Sequence, residues 1–183
     1  MDVTTLRASA RGFSLIELVV SLFVALILVT VGVPSWRNLS SSITVSDTRN
    51  LLMGTMALAR QSAIDSGYHL TLCPSTDQQQ CSGDYTAWHD GVILFIDENA
   101  NRQKDAGEDL IRALGTRSGI VVQSSSGRRS IRYAPDGSAW GSNLTLRFCS
   151  PGTTVPNKAI ILYGSGRARL SSTLSNGDPV SCI

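Results

Sequence analysis

The chain has only two histidines, His69 and His89, and its four cysteines form no Cys-x-x-Cys pair. A zinc centre draws its ligands from such clusters, so no metal site is expected. There is no His-Glu-x-x-His helix and no glycine-rich phosphate-binding loop. Neither histidine has a nucleophile and acid patterned around it, and His69 reads as a structural residue of a strand. Trp88 and Trp140 read as core or turn-packing residues rather than as a ligand box. Internal repeats and low-complexity linkers are also lacking. These absences argue against an enzyme and against a resident cofactor.

What is present begins with charge. The net charge is only +2 over 183 residues. Residues 37–110 hold 5 Lys+Arg and 10 Asp+Glu, a balance of −5. Residues 111–183 hold 9 Lys+Arg and 2 Asp+Glu, a balance of +7. A basic half behind an acidic one points to a polyanion-facing surface, or to a solvated basic face. Four cysteines behind an export-type N-terminus suggest disulfides made in an oxidising compartment. Of the three possible pairings, proximity in sequence favours Cys73 with Cys81 and Cys149 with Cys182.

The N-terminal segment carries the sharpest signal. Residues 1–12 are a short polar leader with Arg7 and Arg11. Phe13-Ser14-Leu15-Ile16-Glu17-Leu18 follows and opens an apolar run to about Val33. That run is roughly 20 residues, the span of a bilayer's hydrocarbon core. The flanking arginines orient that end toward the cytoplasm. An ordinary secretory signal has its cleavage site after the apolar core. Here Gly12 precedes the core, and a cut there leaves the hydrophobic helix in the mature chain. Glu17 is costly in lipid and calls for a cationic partner. In a filament, the amine of a neighbouring subunit's Phe13 meets that need. Gly32 and Pro34 interrupt the helix and predict a kink or local melting.

Arg-Gly-Phe-Ser-Leu-Ile-Glu-Leu at 11–18 resembles the class III signal of type IV pilins and type II secretion pseudopilins. The resemblance implies cleavage after Gly12 by a prepilin peptidase and N-methylation of Phe13. It also implies that Glu17 guides docking among other major and minor pilins. The expected segments are a leader at 1–12, a transmembrane and filament-core helix at 13–34, and a periplasmic globular domain at 35–183. Localisation then starts as a single pass through the inner membrane and ends in a surface pilus.

Beyond the membrane segment, residues 35–66 continue as helix. Leu39, Ile43, Leu52, Met56, Ala59 and Ala63 form its apolar stripe, and Gly67 stops it. Short β runs follow near 68–73, 92–97, 110–114, 120–123, 130–134, 144–149, 159–163 and 167–171. Turn residues separate them, among them Pro135-Asp136-Gly137 and Gly164-Ser165-Gly166. One long helix and then antiparallel strands is an α+β plan, and the resemblance implies that it is the type IV pilin fold. The leader, the Phe95–Asn101 strand and loop, and the Pro-Asp-Gly turn before a Cys-bearing strand are similar to the FimT/GspH group.

Two constellations bear on chemistry. In Gly166-Arg167-Ala168-Arg169 the arginines are two residues apart, which in a strand puts both on one face. The guanidinium fork suits phosphate oxygens. The segment resembles the Gly-Arg-x-Arg motif of FimT-type minor pilins, which bind DNA for uptake in natural transformation. Lys158, Arg147, Arg128, Arg129 and Arg132 are expected to widen the patch. No aromatic run lies between the arginines, which favours sequence-nonspecific contact with double-stranded DNA over stacking of single strands. A structural or initiating minor pilin, or a GspH-like pseudopilin, is the alternative. The second constellation is Asp97, Asn99, Asn101, Gln103, Asp105 and Glu108, at EF-hand-like spacing. Arg102 stands where that loop needs glycine, so a structural turn is expected rather than a calcium site.

Overall fold

The structure is a computed structural model, and it describes Gly12 and residues 14–182. Phe13 and residues 1–11 lie outside the described residues. One helix, α1 (Leu15–Ser66), precedes eight strands: β1 (Leu70–Pro74), β2 (Val92–Ile96), β3 (Leu110–Leu114), β4 (Val121–Gln123), β5 (Ile131–Tyr133), β6 (Leu144–Cys149), β7 (Lys158–Leu162) and β8 (Ala168–Ser171). The chain divides into two compact units at Arg37 and Asn38.

The first unit is the apolar opening of α1. Ser14 caps it: its hydroxyl accepts the Glu17 N–H at 3.2 Å. Glu17 therefore occupies the third helical position, where a carboxylate complements the helix dipole. This local role is independent of any filament partner. Leu15, Ile16, Leu22, Phe23, Leu26 and Leu28 are all exposed. The helix is long and apolar enough to cross a membrane. It runs on through Gly32 and Pro34 without melting. Proline removes one intrahelical bond, and the other bonds of the turn persist. The Ser35 hydroxyl donates to the Val31 carbonyl at 2.9 Å within that turn.

The second unit buries one side of the rest of α1. Its inward residues are Val45, Thr48, Leu52, Thr55, Met56, Ala59 and Ala63. Leu39 and Ile43, expected in the apolar stripe, are instead exposed. The true face is completed by two threonines, which a count of apolar residues passes over. Thr55 is tolerated there because its hydroxyl donates to the Leu51 carbonyl at 2.9 Å.

Two antiparallel four-stranded sheets complete the unit, in the orders β3-β2-β1-β5 and β4-β6-β7-β8. Alternation turns Leu70, Leu72 and Leu94 of the first sheet and Leu146, Phe148 and Ile160 of the second into one core with α1. Each such side chain contributes about 1.5–3 kcal/mol by leaving water. A smaller cluster of Cys73, Ile93 and Phe95, flanked by Cys81, covers the other face of the first sheet.

Cys73 is bonded to Cys81 and Cys149 to Cys182. The second bond ties the C-terminal tail to β6, on the face opposite the core. There Arg147 donates to the Ser181 carbonyl at 3.3 Å and Asn157 to the Val180 carbonyl at 2.9 Å. The bond closes a sequence separation of 33. Replacing Cys182 with Ser should lower stability by roughly 3 kcal/mol through restored chain entropy. Thermal melts of the oxidised protein and the variant check this, and equal melting temperatures would contradict it.

Candidate functional site

The turn from β7 to β8 presents the Gly-x-Gly-Arg-x-Arg segment. Gly166 N–H donates to the Tyr163 carbonyl at 2.9 Å, and Tyr163 N–H to the Arg167 carbonyl at 3.0 Å. Arg167 therefore lies opposite Tyr163, just before β8, and Arg169 pairs with Ile161 within it. Strand alternation places both arginines on one side of an edge strand, and both are exposed.

This turn is fixed by a second one. Gly137 N–H closes the Pro135-Asp136-Gly137 turn onto the Ala134 carbonyl at 2.8 Å, and Ala139 N–H donates to the Gly164 carbonyl at 2.8 Å. Gly166 has φ +78°, and a Cβ there would lie inside the Gly137 carbonyl oxygen. A Cβ on Gly164 would lie 2.8 Å from Cε3 of Trp140, so the indole rests directly on that glycine. On the facing turn, the Ser138 hydroxyl and N–H hold the Asp136 carboxyl below its ordinary value.

Arg169 is braced. Its Nε donates to the Tyr163 hydroxyl at 2.7 Å, and its guanidinium carbon lies 6.0 Å from the Tyr163 ring centre. Arg167 has no side-chain partner among the described residues and borders a small cleft with Arg60 of α1. Arg60 belongs to the acidic half of the sequence, so nothing in the linear charge pattern assigns it to this neighbourhood.

The other expected cations separate into two groups. Arg128 donates to the Gly141 carbonyl at 2.9 Å and borders two clefts. One, of about 590 Å³, is shared with Trp140, Tyr163 and Gly164. The other, of about 490 Å³, is shared with Arg129 and Arg102. Arg102 is held by the Ser142 and Ser130 hydroxyls at 3.1 and 3.4 Å. Burial, then the nearby Arg132, lowers its pKa. Arg132 donates to the Ala100 carbonyl. Arg128 and Arg129 thus continue a basic strip from the hairpin, with Arg102 and Arg132 behind them.

Lys158 and Arg147 do not join it. Lys158 opens β7 and pairs with Phe148, while Arg147 pairs with Ala159. At 3.3 Å per residue, six residues separate Lys158 from the Gly164 turn by about 20 Å. Arg147 is occupied by the C-terminal tail. No aromatic lies between the arginines in the chain, but folding brings one near them from outside that segment. Trp140 is 74 % exposed and lines a cleft beside the strip with Tyr163 and Arg128. Trp140 lies 27 residues before Arg167 in sequence, and only folding brings them together.

Among the described residues no arginine forms an ion pair with a carboxylate; the one pair is His89 with Asp90 at 3.7 Å. The acids of the Asp97–Glu108 loop are spent locally. Asp97 accepts from the Thr71 hydroxyl at 2.6 Å and from the Asn101 and Arg102 N–H groups at 2.9 and 3.1 Å. Glu108 accepts from Glu98 and Asp105 N–H groups at 3.0 and 2.9 Å. Arg102 adopts φ +65°, the left-handed conformation that glycine takes more easily.

The sequence matches a prokaryotic N-terminal methylation motif over residues 7–33 and the family described as type II transport protein GspH over residues 48–171. No curated protein matches it. Among solved structures, the type IV minor pilin FimU of Pseudomonas aeruginosa PAO1 is similar in two crystal forms. One is 15 % identical with a TM-score of 0.56, covering 76 % of this chain and 95 % of that one. The other is 16 % identical with a TM-score of 0.55, covering 75 % and 99 %. The minor pseudopilin EpsH of Vibrio cholerae is 12 % identical over 69 % of this chain and 95 % of that one, with a TM-score of 0.49. The chain belongs to the GspH family, and is a non-enzymatic, pilin-like subunit of a type IV pilus or type II secretion system.

Proposed function

We propose that this chain is a minor pilin of a type IV pilus that captures extracellular double-stranded DNA for uptake in natural transformation. The carrying observation is the exposed Arg167 and Arg169 pair on a rigid edge hairpin, with no carboxylate paired to it among the described residues. Arginine without an internal anion keeps its fork for an external phosphate. Arg128 and Arg129 extend the contact. The remaining steps follow the family pattern. A prepilin peptidase cuts after Gly12, Phe13 is N-methylated, and the 13–34 helix spans the inner membrane once before assembly with other pilins. The 35–183 domain then faces the periplasm.

Contact through about four arginines predicts a salt slope near −3.6, or about a hundredfold loss of affinity between 50 and 200 mM salt. Substituting Arg167 and Arg169 together by Ala should reduce the slope by about two and remove most duplex binding at physiological salt. Electrophoretic shift of a random-sequence duplex at several salt concentrations measures both. An unchanged slope in the double variant rejects the assignment.

A second reading rests on the family match itself, which is to a type II transport protein over residues 48–171. In that reading the chain is a structural or initiating subunit, or a pseudopilin, and the arginines contact neighbouring subunits. Absence of duplex binding by the wild-type protein at low salt selects it.

A further inference from the structure

We infer that Trp140 is a base-stacking platform, so that the basic strip holds unpaired DNA strand as well as duplex. This rests on the DNA-binding reading above and deepens it. Trp140 is 74 % exposed, a costly place for the largest apolar side chain. By contrast Trp88 is buried in the core. The fold invests in holding the exposed ring still. One face of the indole lies on Gly164, where even a methyl group would collide with it. Gly164 is in turn pinned by the Ala139 N–H at 2.8 Å, one residue before Trp140. Most of the ring beyond that contact is exposed.

The surroundings match a nucleotide. The indole lines a shallow cleft of about 590 Å³ with Arg128 and Tyr163. Arg128 is oriented by its bond to the Gly141 carbonyl, next to Trp140 in sequence. Tyr163 is braced by Arg169. A flat ring with an anion on each side fits this arrangement. A base lies on the indole, its phosphates falling toward Arg128 on one flank and the hairpin arginines on the other. A purely apolar partner would leave these cations unmatched. Bases inside a duplex are already stacked and cannot use the ring, so the platform distinguishes unpaired strand from paired.

The test uses the full chain in detergent micelles with two probes, a 20-nucleotide oligothymidylate and a random-sequence duplex of equal length. Trp140→Ala should weaken binding of the single strand by about tenfold or more while duplex affinity stays within about twofold. Trp140→Tyr should restore most of the loss, because a smaller ring still stacks. The thermal melt of each variant separates a folding effect from a binding effect. Single-strand binding should also quench wild-type tryptophan fluorescence, and the quench should vanish in Trp140→Ala although Trp36 and Trp88 remain. Equal losses on both probes, or none on the single strand, overturn the platform. If duplex binding still depends on Arg167 and Arg169, the capture proposal survives that result. If the wild-type protein binds neither probe, both fall.

Discussion

Replacing Gly166 with Ala should destabilise the globular unit by roughly 3 kcal/mol or more, well beyond an ordinary surface substitution. Two effects combine. The residue sits at φ +78°, where an L-residue is strained by about 1–2 kcal/mol. The added methyl also meets Gly137 backbone, with the carbonyl carbon at 3.1 Å and the oxygen closer still. A flexible side chain yields cheaply to such a contact, but the carbonyl of a tight turn does not. The β7–β8 hairpin and the Pro-Asp-Gly turn must then separate, and the bond from Ala139 N–H to the Gly164 carbonyl goes with them.

Gly152→Ala isolates the second effect. Gly152 has φ +72°, nearly the same conformation, but nothing within 4 Å of an added Cβ. It should show the strain alone, about 1–2 kcal/mol. Urea unfolding of the two variants gives the difference, and similar midpoints would mean that the close approach carries no energy. If the hairpin orients the arginines as proposed, Gly166→Ala also weakens duplex binding while leaving both guanidiniums present. The glycine of the motif is thereby a positioning residue: it sets the hairpin against its neighbouring turn.

The strands were legible because their signals are local. β3 and β6 fall at the residues that the turn chemistry and β-branched runs predict, and the other six are displaced by one or two. The first face of α1 was misread for a physical reason. Leu39 and Ile43 are apolar but lie outside the buried side, whereas Thr48 and Thr55 lie on it. Small polar residues such as these, Thr55 returning a hydrogen bond to the Leu51 carbonyl, are invisible to an apolar count. Pro34 similarly signals interruption, yet one missing N–H does not end a helix whose other bonds remain.

The site was legible only where it is contiguous. Gly166, Arg167 and Arg169 lie together in the chain, so their chemistry can be read from spacing. Arg60, Trp140 and Arg102 enter through packing between the helix, two turns and a loop, and no sequence periodicity links them. Summed charge over residues 111–183 also overstates the patch. Arg147 and Lys158 count toward it but belong to the disulfide-tethered end of β6 and β7. Charge is additive along a sequence, whereas a surface depends on which end of a strand carries it.

Asp97→Ala should be the most disruptive polar substitution, lowering stability by roughly 3–5 kcal/mol. Its carboxylate is fully buried and accepts from the Thr71 hydroxyl and two loop N–H groups. Removing it strands the buried Thr71 hydroxyl and takes the acceptor from the part-buried Arg102 N–H, at about 1–3 kcal/mol each less whatever water repairs, while the exposed Asn101 N–H keeps only Asn99 Oδ1 at 3.1 Å. The two loop donors belong to Asn101 and Arg102, next to the left-handed turns at Ala100 and Arg102. Those conformations persist only while the hydrogen bonds hold them. Asp97→Asn keeps the shape and one acceptor oxygen, and the Thr71 hydroxyl can turn to accept from the amide. It should therefore lose about half as much. Hydrogen exchange adds the spatial readout: in Asp97→Ala the Asn101 and Arg102 amides should exchange faster, while amides of the distant β6–β7 pair are slowed by the core as before. The consequence reaches the strip, because Arg102 carries its guanidinium to Ser130 and Ser142 from this loop, and a loosened loop frees it. Equal stability of Asp97→Ala and Asp97→Asn would show that the carboxylate fills space and does not organise the loop.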